Sequence, residues 1–203
     1  MTHPTTAAAF GFFLTTLSLV GCGPTGGARA QPQRAAPGVA GTLDGAVLRA
    51  PLILATSEGE RRIRRVMGGA LAIIKVDRRN GGSPDLVMGY EEIPVGQAIQ
   101  AHRHPAMDEI VFVHRGTGAA ELGDKTAAVG PGATIFIPQA TRVMLRNTGT
   151  EPLAIAYFFS APGYDEYLRD TSVPDGQVAP PLSVEQLAQI RERHKAHIVF
   201  DPQ

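Results

Sequence analysis

The sequence predicts an all-β fold, a barrel or a sandwich, that ends in a short helical tail. From about Val47 onward, short runs rich in apolar and β-branched residues follow one another at close spacing. Turn signals that contain glycine or proline separate these runs, as in the GG at 81–82 and the GPG at 130–132. Many short strands at this spacing are typical of all-β barrels and sandwiches.

The predicted strands are, in chain order, VLRAPLILAT, ALAIIKVD, DLVMGYEEI, QAIQAHRH, EIVFVHR, GAAEL, KTAAV, ATIFIP, RVMLRN and PLAIAYFFS. Between the first two lies RRIRRV, residues 61–66, which is strongly charged and alternates poorly. We interpret this run as a solvated strand or turn, with an anion-binding patch as the alternative. Tyr157 and Phe158, on the last predicted strand, are both expected in the core.

The tail has a different pattern. The run PGYDEYLRD predicts one or two helical turns, and SVEQLAQIRERHKAH predicts a longer helix. Ser183 is the expected N-cap of this helix, with Gln186 as its reciprocal partner, and Leu187 and Ile190 share one face. We expect this helix to pack on the outside of the β-structure.

The charge balance points away from nucleic acid as a partner. Lys and Arg together number 19, as do Asp and Glu, so the net charge is zero with neutral histidines. A chain without excess positive charge lacks the long-range attraction that nucleic-acid binding uses. A small molecule is the expected ligand.

An apolar run, AAAFGFFLTTLSLV at residues 7–20, precedes Gly21 and the single cysteine, Cys22. The run is short for a membrane span, which needs about 20 residues, and suits a signal peptide. The sequence LVGC resembles a bacterial lipoprotein signal, although the preceding MTHPTT has no Lys or Arg. The resemblance implies lipidation of Cys22 and a lipid-anchored protein outside the cytoplasm, in the periplasm or at the cell surface. A misassigned start or a buried apolar N-terminus is the alternative.

The stretch GQAIQAHRHPAMDEIVFVHRG contains three side chains that bind divalent metals. Side chains alternate along a strand, so His102 and His104 are expected to share a face with Gln100, and Glu109 begins the inward face of the next strand. Two imidazoles and a carboxylate are costly to bury unpaired, and a metal ion removes that cost. A set of two histidines and one carboxylate leaves coordination positions open. His114 has the opposite parity and is expected to face away from the site.

The spacing of Gly96, His102, His104, Glu109 and Gly116 resembles the first motif of the cupin superfamily at every fixed position. The second motif is matched at three positions, by Gly132, Pro138 and Asn147, and departs at two. Ala140 stands where the family has Gly, and Val143 stands where it has a fourth metal ligand, His. The resemblance covers about residues 60 to 160.

The cupin resemblance implies a double-stranded β-helix, or jelly-roll barrel, with one divalent metal ion at its centre. His102, His104 and Glu109 are the implied ligands, and Fe, Mn, Ni and Zn all remain open as the ion. Gln100 and Val143 are the candidate pocket residues. The expected organisation is a signal peptide (1–21), a flexible Gly/Ala/Pro-rich tether (22–45), the barrel (46–165) and a helical extension (166–203).

Three functions remain open because a cupin fold hosts many chemistries. The first is a small-molecule metalloenzyme, dioxygenase-like or isomerase-like, with an incomplete ligand set. The second is a binding or sensing module that holds a small ligand without turnover. The third is a structural protein with a vestigial site. The substrate and the oligomeric state, a homodimer included, are also left open.

Overall fold

The structure is a computed structural model that describes residues 42–43, 46–47, 51–80 and 83–202. The predicted signal peptide (1–21), the predicted lipidation site Cys22 and nearly all of the predicted tether (22–45) lie outside the described residues. Neither helix in the described part of the chain is long and apolar enough to cross a membrane.

The described residues form short strands and two helices, in close agreement with the predicted order. The strands are β1 (Thr42–Leu43), β2 (Ala46–Val47), β3 (Glu60–Arg64), β4 (Leu71–Val76), β5 (Val87–Ile93), β6 (Ala98–Arg103), β7 (Glu109–Arg115), β8 (Gly118–Leu122), β9 (Lys125–Val129), β10 (Thr134–Ile137), β11 (Val143–Asn147), β12 (Leu153–Phe159), β13 (Ser172–Pro174) and β14 (Val199–Phe200), and the helices are α1 (Tyr164–Asp170) and α2 (Val184–Arg193).

Two antiparallel sheets make up the double-stranded β-helix, which confirms the predicted fold class. One sheet has the order β10-β7-β12-β5-β4-β3-β13, and the other has the order β14-β6-β11-β8-β9. Strands β1 and β2 pair only with each other. The order is not sequential in either sheet, as expected for a jelly roll, in which strands cross between sheets.

Strand β7 shows how the sequence pattern positions the site. Its side chains alternate between buried and exposed, with Glu109, Val111 and Val113 buried and Ile110 and Phe112 exposed. The strand pairs with β10 on one side and β12 on the other. The alternation therefore turns Glu109 into the interior between the sheets, where apolar side chains surround it.

The segment before β3 differs from the prediction. VLRAPLILAT was expected to open the barrel as a strand, but residues 51–58 form no strand. Carbonyl groups of this segment instead accept hydrogen bonds from the Lys75 ammonium, at 2.8 Å from Ala55, 2.6 Å from Thr56 and 2.5 Å from Glu58. These side-chain contacts take the place of ladder bonds for three of the segment's carbonyls.

The charged run RRIRRV is also partly different from the prediction of a solvated strand or turn. It does form a strand, β3, but Arg64 is buried at 5% exposure. Its Nη1 donates to Glu91 Oε1 at 2.5 Å, so the charge is neutralised inside the barrel. The pairing required a tertiary contact between β3 and β5 that periodicity alone does not reveal.

Helix α1 is fixed to the barrel by Arg169. The guanidinium donates to Glu60 Oε2 at 2.6 Å and Asp165 Oδ2 at 3.1 Å, and it also contacts Asp77. Glu166 Oε1 also accepts from Nη1 at 3.2 Å, so four carboxylates surround one buried guanidinium and satisfy its donors in several directions. The contacts join α1 to β3 and to the turn after β4.

The rest of the tail follows the predicted pattern and then adds to it. Ser183 caps α2, accepting from Gln186 N while the Gln186 side chain accepts from Ser183 N, so the predicted capping box is present. After the helix, the chain returns to the five-stranded sheet, where Phe200 of β14 pairs with His102 of β6. The tail therefore lies against the strand that carries the first predicted ligand.

Candidate metal centre

His102, His104 and Glu109 come together inside the barrel. Each offers one ligand atom, and these atoms lie within 4.8 Å of one another. His102 lies on β6, His104 follows the end of that strand, and Glu109 is the first residue of β7. All three are buried, with exposures of 6%, 1% and 7% respectively. The two sheets thus contribute ligands to a single interior point.

The orientation of His104 is set by the C-terminal tail. Its Nδ1 lies 2.8 Å from the carbonyl oxygen of His197, which can only accept, so Nδ1 carries the proton. In a neutral ring with this tautomer, Nε2 carries the free lone pair. That atom is buried with no hydrogen-bond partner and lies 3.4 Å from Glu109 Oε2.

A backbone carbonyl fixes His102 in the same way. Its Nδ1 lies 2.7 Å from the carbonyl oxygen of Gln100, and its ring meets the His104 ring edge-on at 4.9 Å between centroids. Burial, together with the neighbouring His104, lowers the pKa of His102 to about 4. The imidazole is therefore neutral at physiological pH, with Nε2 available as a ligand.

These features fit a divalent metal ion. Ring nitrogens that donate from Nδ1 to carbonyls and offer Nε2 are the usual form of metal-binding histidines. Two ligand atoms held about 2.05 Å from one tetrahedral ion are roughly 3.3 Å apart, close to the observed spacing of His104 Nε2 and Glu109 Oε2. A shared ion would satisfy the unpartnered Nε2 and the carboxylate at once.

Val143 forms part of the apolar wall next to this cluster. It is 4% exposed, pairs with His102 across β6 and β11, and lines an interior cavity of about 20 Å³ together with His102 and Glu109. This volume suits about one water molecule or ion. The side chain at the position of the fourth family ligand therefore faces the centre but offers no ligand atom.

Gln100 does not share that cavity, because β6 contains a bulge. Val143 pairs with His102 and Leu145 pairs with Ile99, so between these pairs two residues of β6 oppose one of β11. The extra residue reverses the alternation, and Ile99 lines the cavity in place of Gln100. The Gln100 side chain is exposed, accepts from Arg191 Nη2 at 2.8 Å and lines a second, larger cavity described below.

Other candidates fall where alternation places them. His114 is exposed on the outer face, as expected. Tyr157 is buried and lines the inner cavity with its hydroxyl unpartnered, as predicted for a core residue. Phe158, its neighbour, is 39% exposed, so the expectation that both lie in the core was wrong for Phe158.

Two residues near the centre were not singled out from the sequence. Glu91 is fully buried on β5, lines the inner cavity and pairs with Arg64. The Tyr164 hydroxyl lies 3.3 Å from Arg64 Nη1 and 3.4 Å from Glu91 Oε2. Strict alternation along VMGYEEI would have placed Glu91 on the buried face with Val87 and Ile93. No local pattern identifies its partner.

A larger cavity, of about 280 Å³, adjoins the centre. It shares Ile99, His102 and Tyr164 with the inner cavity, and it is bounded on the tail side by α2 and β14 through Leu187, Arg191, Ile198 and Phe200. The tail thus packs across one end of the interior, and not only on the outer surface as expected. We call this space the outer cavity.

Residues 89–159 match the family described as Cupin_2, a cupin domain. The chain is 35% identical over 63 residues to the uncharacterised protein MJ1618 of Methanocaldococcus jannaschii, covering 31% of this chain and 50% of that protein. It is 24% identical over 142 residues to the tetracenomycin polyketide synthase protein TcmJ of Streptomyces glaucescens, covering 63% and 95%. The chain therefore spans half the length of the first relative and nearly all of the second.

Among solved structures, a predicted oxalate decarboxylase from Thermotoga maritima is similar, with a TM-score of 0.49 and 17% identity. The similarity covers 55% of this chain and 100% of that one. The segment that matches the cupin family begins within β5 and ends with β12, so it includes all three clustered residues and Val143.

Proposed function

We propose that this chain, which carries a cupin domain over residues 89–159, binds one divalent metal ion and acts on a small molecule beside it. His102, His104 and Glu109 are the proposed ligands. One observation carries the proposal: His104 Nε2 is buried without a hydrogen-bond partner while Nδ1 is held by a backbone carbonyl. A buried lone pair in this arrangement is costly unless something binds it.

A divalent ion held by two imidazoles and one carboxylate keeps positions open for water or a ligand, and supplies Lewis-acid or redox chemistry there. The chain itself supplies the surroundings. Val111, Val143, Leu145 and Ile155 line the inner cavity and exclude water from one side. The accessible side lies at His102, where the inner and outer cavities meet.

The enzyme and the binding module make different use of the same geometry. The inner cavity accommodates about one water, so of the two cavities beside the centre only the outer one has room for an organic ligand. An enzyme needs that ligand to reach an open coordination position beside His102, which the shared lining allows. The name of TcmJ, a polyketide synthase protein, also supports small-molecule metabolism.

The alternative, a module that holds a ligand without turnover, is favoured by Val143. An apolar side chain in place of a fourth ligand lowers the affinity for the ion. It is also compatible with a site that has lost catalytic activity. Metal-dependent O₂ consumption or metal-dependent conversion of a bound compound would support the enzyme. Ligand binding with no turnover for any tested metal would support the module.

Thermal unfolding tests the metal site directly. Protein stripped with a chelator should gain stability when Mn, Fe, Co, Ni or Zn is added, because an ion that binds only the folded state raises the melting temperature. The His102→Ala, His104→Ala double variant should show no such rise. His114→Ala is the matched control, since His114 is exposed on the outer face of β7. A rise of equal size in the double variant would refute the site.

We further propose that the protein is anchored to a bacterial membrane, outside the cytoplasm, by lipid on Cys22. The support is the apolar run that ends in LVGC. Several acyl chains on one residue would hold the domain firmly at a membrane. Cys22→Ser should move the protein out of the membrane fraction and change the mass shift on maturation; the same fraction and the same mass shift would contradict the anchor.

A further inference from the structure

The outer cavity contains arginine side chains but no carboxylate among its lining residues. Its ionisable side chains are Arg64, Arg191, His102 and the hydroxyls of Tyr164 and Tyr167. Arg64 is paired with the buried carboxylate of Glu91, so the Arg191 guanidinium supplies the charge that is not already neutralised. The cavity therefore presents positive charge at the one place where an organic ligand fits next to the proposed metal centre.

Arg191 is held in position without being neutralised. Its Nη2 donates to Gln100 Oε1 at 2.8 Å, and its guanidinium carbon lies 4.1 Å from the centre of the Phe200 ring. Its Nε is buried with no hydrogen-bond partner. No carboxylate in the described part of the chain lies within ion-pair distance of it. A neutral amide and an aromatic ring orient this cation and leave its charge available.

Arg64 lies on the barrel side of the same cavity. It is 5% exposed, and its Nη1 is bonded to Glu91 and Tyr164. Its Nε, like that of Arg191, is buried without a partner. A buried N–H with no acceptor is unfavourable, so each of these donors favours an acceptor in the cavity.

Tyr167 shows that the two arginines act on one region. Burial raises the pKa of the Tyr167 hydroxyl, and the charges of Arg64 and Arg191 both oppose that rise. The Tyr167 ring lies 6.0 Å from Tyr164 and 5.7 Å from Phe200, centroid to centroid. Three aromatic rings thus provide an apolar wall between the cations, which suits the carbon body of a ligand.

We propose that the outer cavity binds a small organic acid, with its carboxylate held by Arg191 and its apolar body against Tyr164, Tyr167 and Phe200. Guanidinium groups match the planar geometry of a carboxylate through paired N–H donors. This inference rests on the proposed function in naming the ligand class of that site. The proposed contact with Arg191 does not involve the metal ion, however, so it is testable on metal-free protein.

The experiment compares benzoate with its neutral counterpart benzamide, by calorimetry or NMR titration, on chelator-treated and on zinc-loaded protein. Benzoate should bind metal-free protein at least tenfold more tightly than benzamide. Arg191→Met should weaken benzoate binding at least tenfold. Arg191→Lys should restore part of the affinity, because lysine keeps the positive charge but lacks the paired N–H donors of a guanidinium. Inorganic phosphate serves as a second probe, to separate a carboxylate site from a general oxyanion site.

Arg193→Met is the matched control. Arg193 lies two residues further along the same helix, pairs with Asp170 at the surface and does not line the cavity. This variant should bind benzoate as the parent does. The proposed anion site would be overturned if Arg191→Met bound benzoate as tightly as the parent does. It would also be overturned if the parent bound benzamide as tightly as benzoate. Phosphate binding as tight as benzoate, equally dependent on Arg191, would overturn the choice of a carboxylate.

The two proposals fail in distinguishable ways. If no metal binds but benzoate binds the metal-free protein through Arg191, the proposed anion site is supported and the proposed metal centre is refuted. If benzoate binds only the zinc-loaded protein and Arg191→Met does not change its affinity, the proposed metal centre is supported and the proposed anion site is refuted.

Discussion

Ala140 adopts a left-handed backbone, with φ of 58°, and no other described non-glycine residue has positive φ. Its N–H donates to the carbonyl oxygen of His104 at 2.8 Å, so the strained residue packs directly against the candidate centre. The position corresponds to a glycine in the cupin motif, and the backbone geometry gives the physical reason. A side-chain carbon in this conformation costs about 1–2 kcal/mol.

Ala140→Gly should therefore stabilise the protein. We expect the free energy of unfolding to rise by about 1 kcal/mol or slightly less, because the glycine also gains freedom in the unfolded chain. Urea denaturation measures the change. Ala127→Gly, on the exposed face of β9, is the control and should lower stability by about 0.5–1 kcal/mol. Lower stability in both variants would contradict the strain at Ala140.

Val143 decides how many protein ligands the proposed ion has. Its side chain faces the inner cavity beside His102 and Glu109, so an imidazole at this position would reach the same centre. Val143→His should strengthen metal retention against a chelator by on the order of tenfold, and suppress any activity that needs the open position.

Val143→Ala is the control for this substitution, since it alters the cavity without adding a ligand. It should leave metal affinity unchanged or slightly weaker. Chelator competition followed by elemental analysis measures both variants. If Val143→His binds metal no more tightly than Val143→Ala, the ion does not lie at the point where the three clustered residues converge.

At the scale of single elements, the start of α2 is explained by its local sequence, and the end of α2 contributes to the outer cavity. Ser183 and Gln186 form a reciprocal capping box at its start, and Arg191 in its last turn lines the outer cavity. Losing a cap of this kind costs about 1 kcal/mol. Ser183→Ala should lower the free energy of unfolding by that amount in urea denaturation, while the mid-helix control Gln189→Ala should not lower it. Equal effects from both would mean that the cap contributes nothing.

The elements also show what the sequence could and could not predict. Alternation correctly predicted β7, with Glu109 facing inward, because a strand with one buried face carries its pattern in the sequence. The same rule failed for Gln100, because a bulge in β6 reverses the parity and nothing in QAIQAHRH marks it. Arg64 was expected in solvent because its neutralising partner, Glu91, lies 27 positions away. The alternation of apolar and polar residues predicts which face of a strand is buried. Predicting a buried charge also requires knowledge of contacts between strands that are distant in the sequence.

At the scale of the whole molecule, the candidate centre joins three parts of the described chain. Strand β6 of one sheet provides His102, strand β7 of the other provides Glu109, and the tail provides the His197 carbonyl that orients His104. The spacing of the motif predicted the ligand set, but it could not predict that residues near the C-terminus fix a ring. Binding of an ion at this centre would therefore be coupled to folding.

This burial makes stability depend on pH in the metal-free protein. The pKa of His102 is about 4, below its ordinary value near 6.5, chiefly because burial disfavours the charged ring. Between these pH values the unfolded state binds more protons, so the free energy of unfolding should fall as pH falls from about 6.5 to 4. The loss from this residue is about 3 kcal/mol.

Urea denaturation at pH 7, 5.5 and 4.5 in the presence of a chelator measures this dependence. His102→Gln should flatten it, whereas His114→Gln, exposed on the outer face, should not. A pH dependence as steep in His102→Gln as in the parent would show that the His102 imidazole does not carry the effect.

The most direct test of the account is the amount of metal bound per chain, measured by equilibrium dialysis and elemental analysis at pH 7.5. The parent protein should bind one divalent ion per chain, His114→Ala should do the same, and the His102→Ala, His104→Ala double variant should retain less than about a tenth of that amount. Because a coordinating imidazole must be neutral and the pKa of His102 is about 4, protonation of His102 should weaken retention by the parent only as the pH approaches 4. One ion per chain in the folded double variant, or none in the parent with any of the five metals, would contradict a centre built from His102, His104 and Glu109.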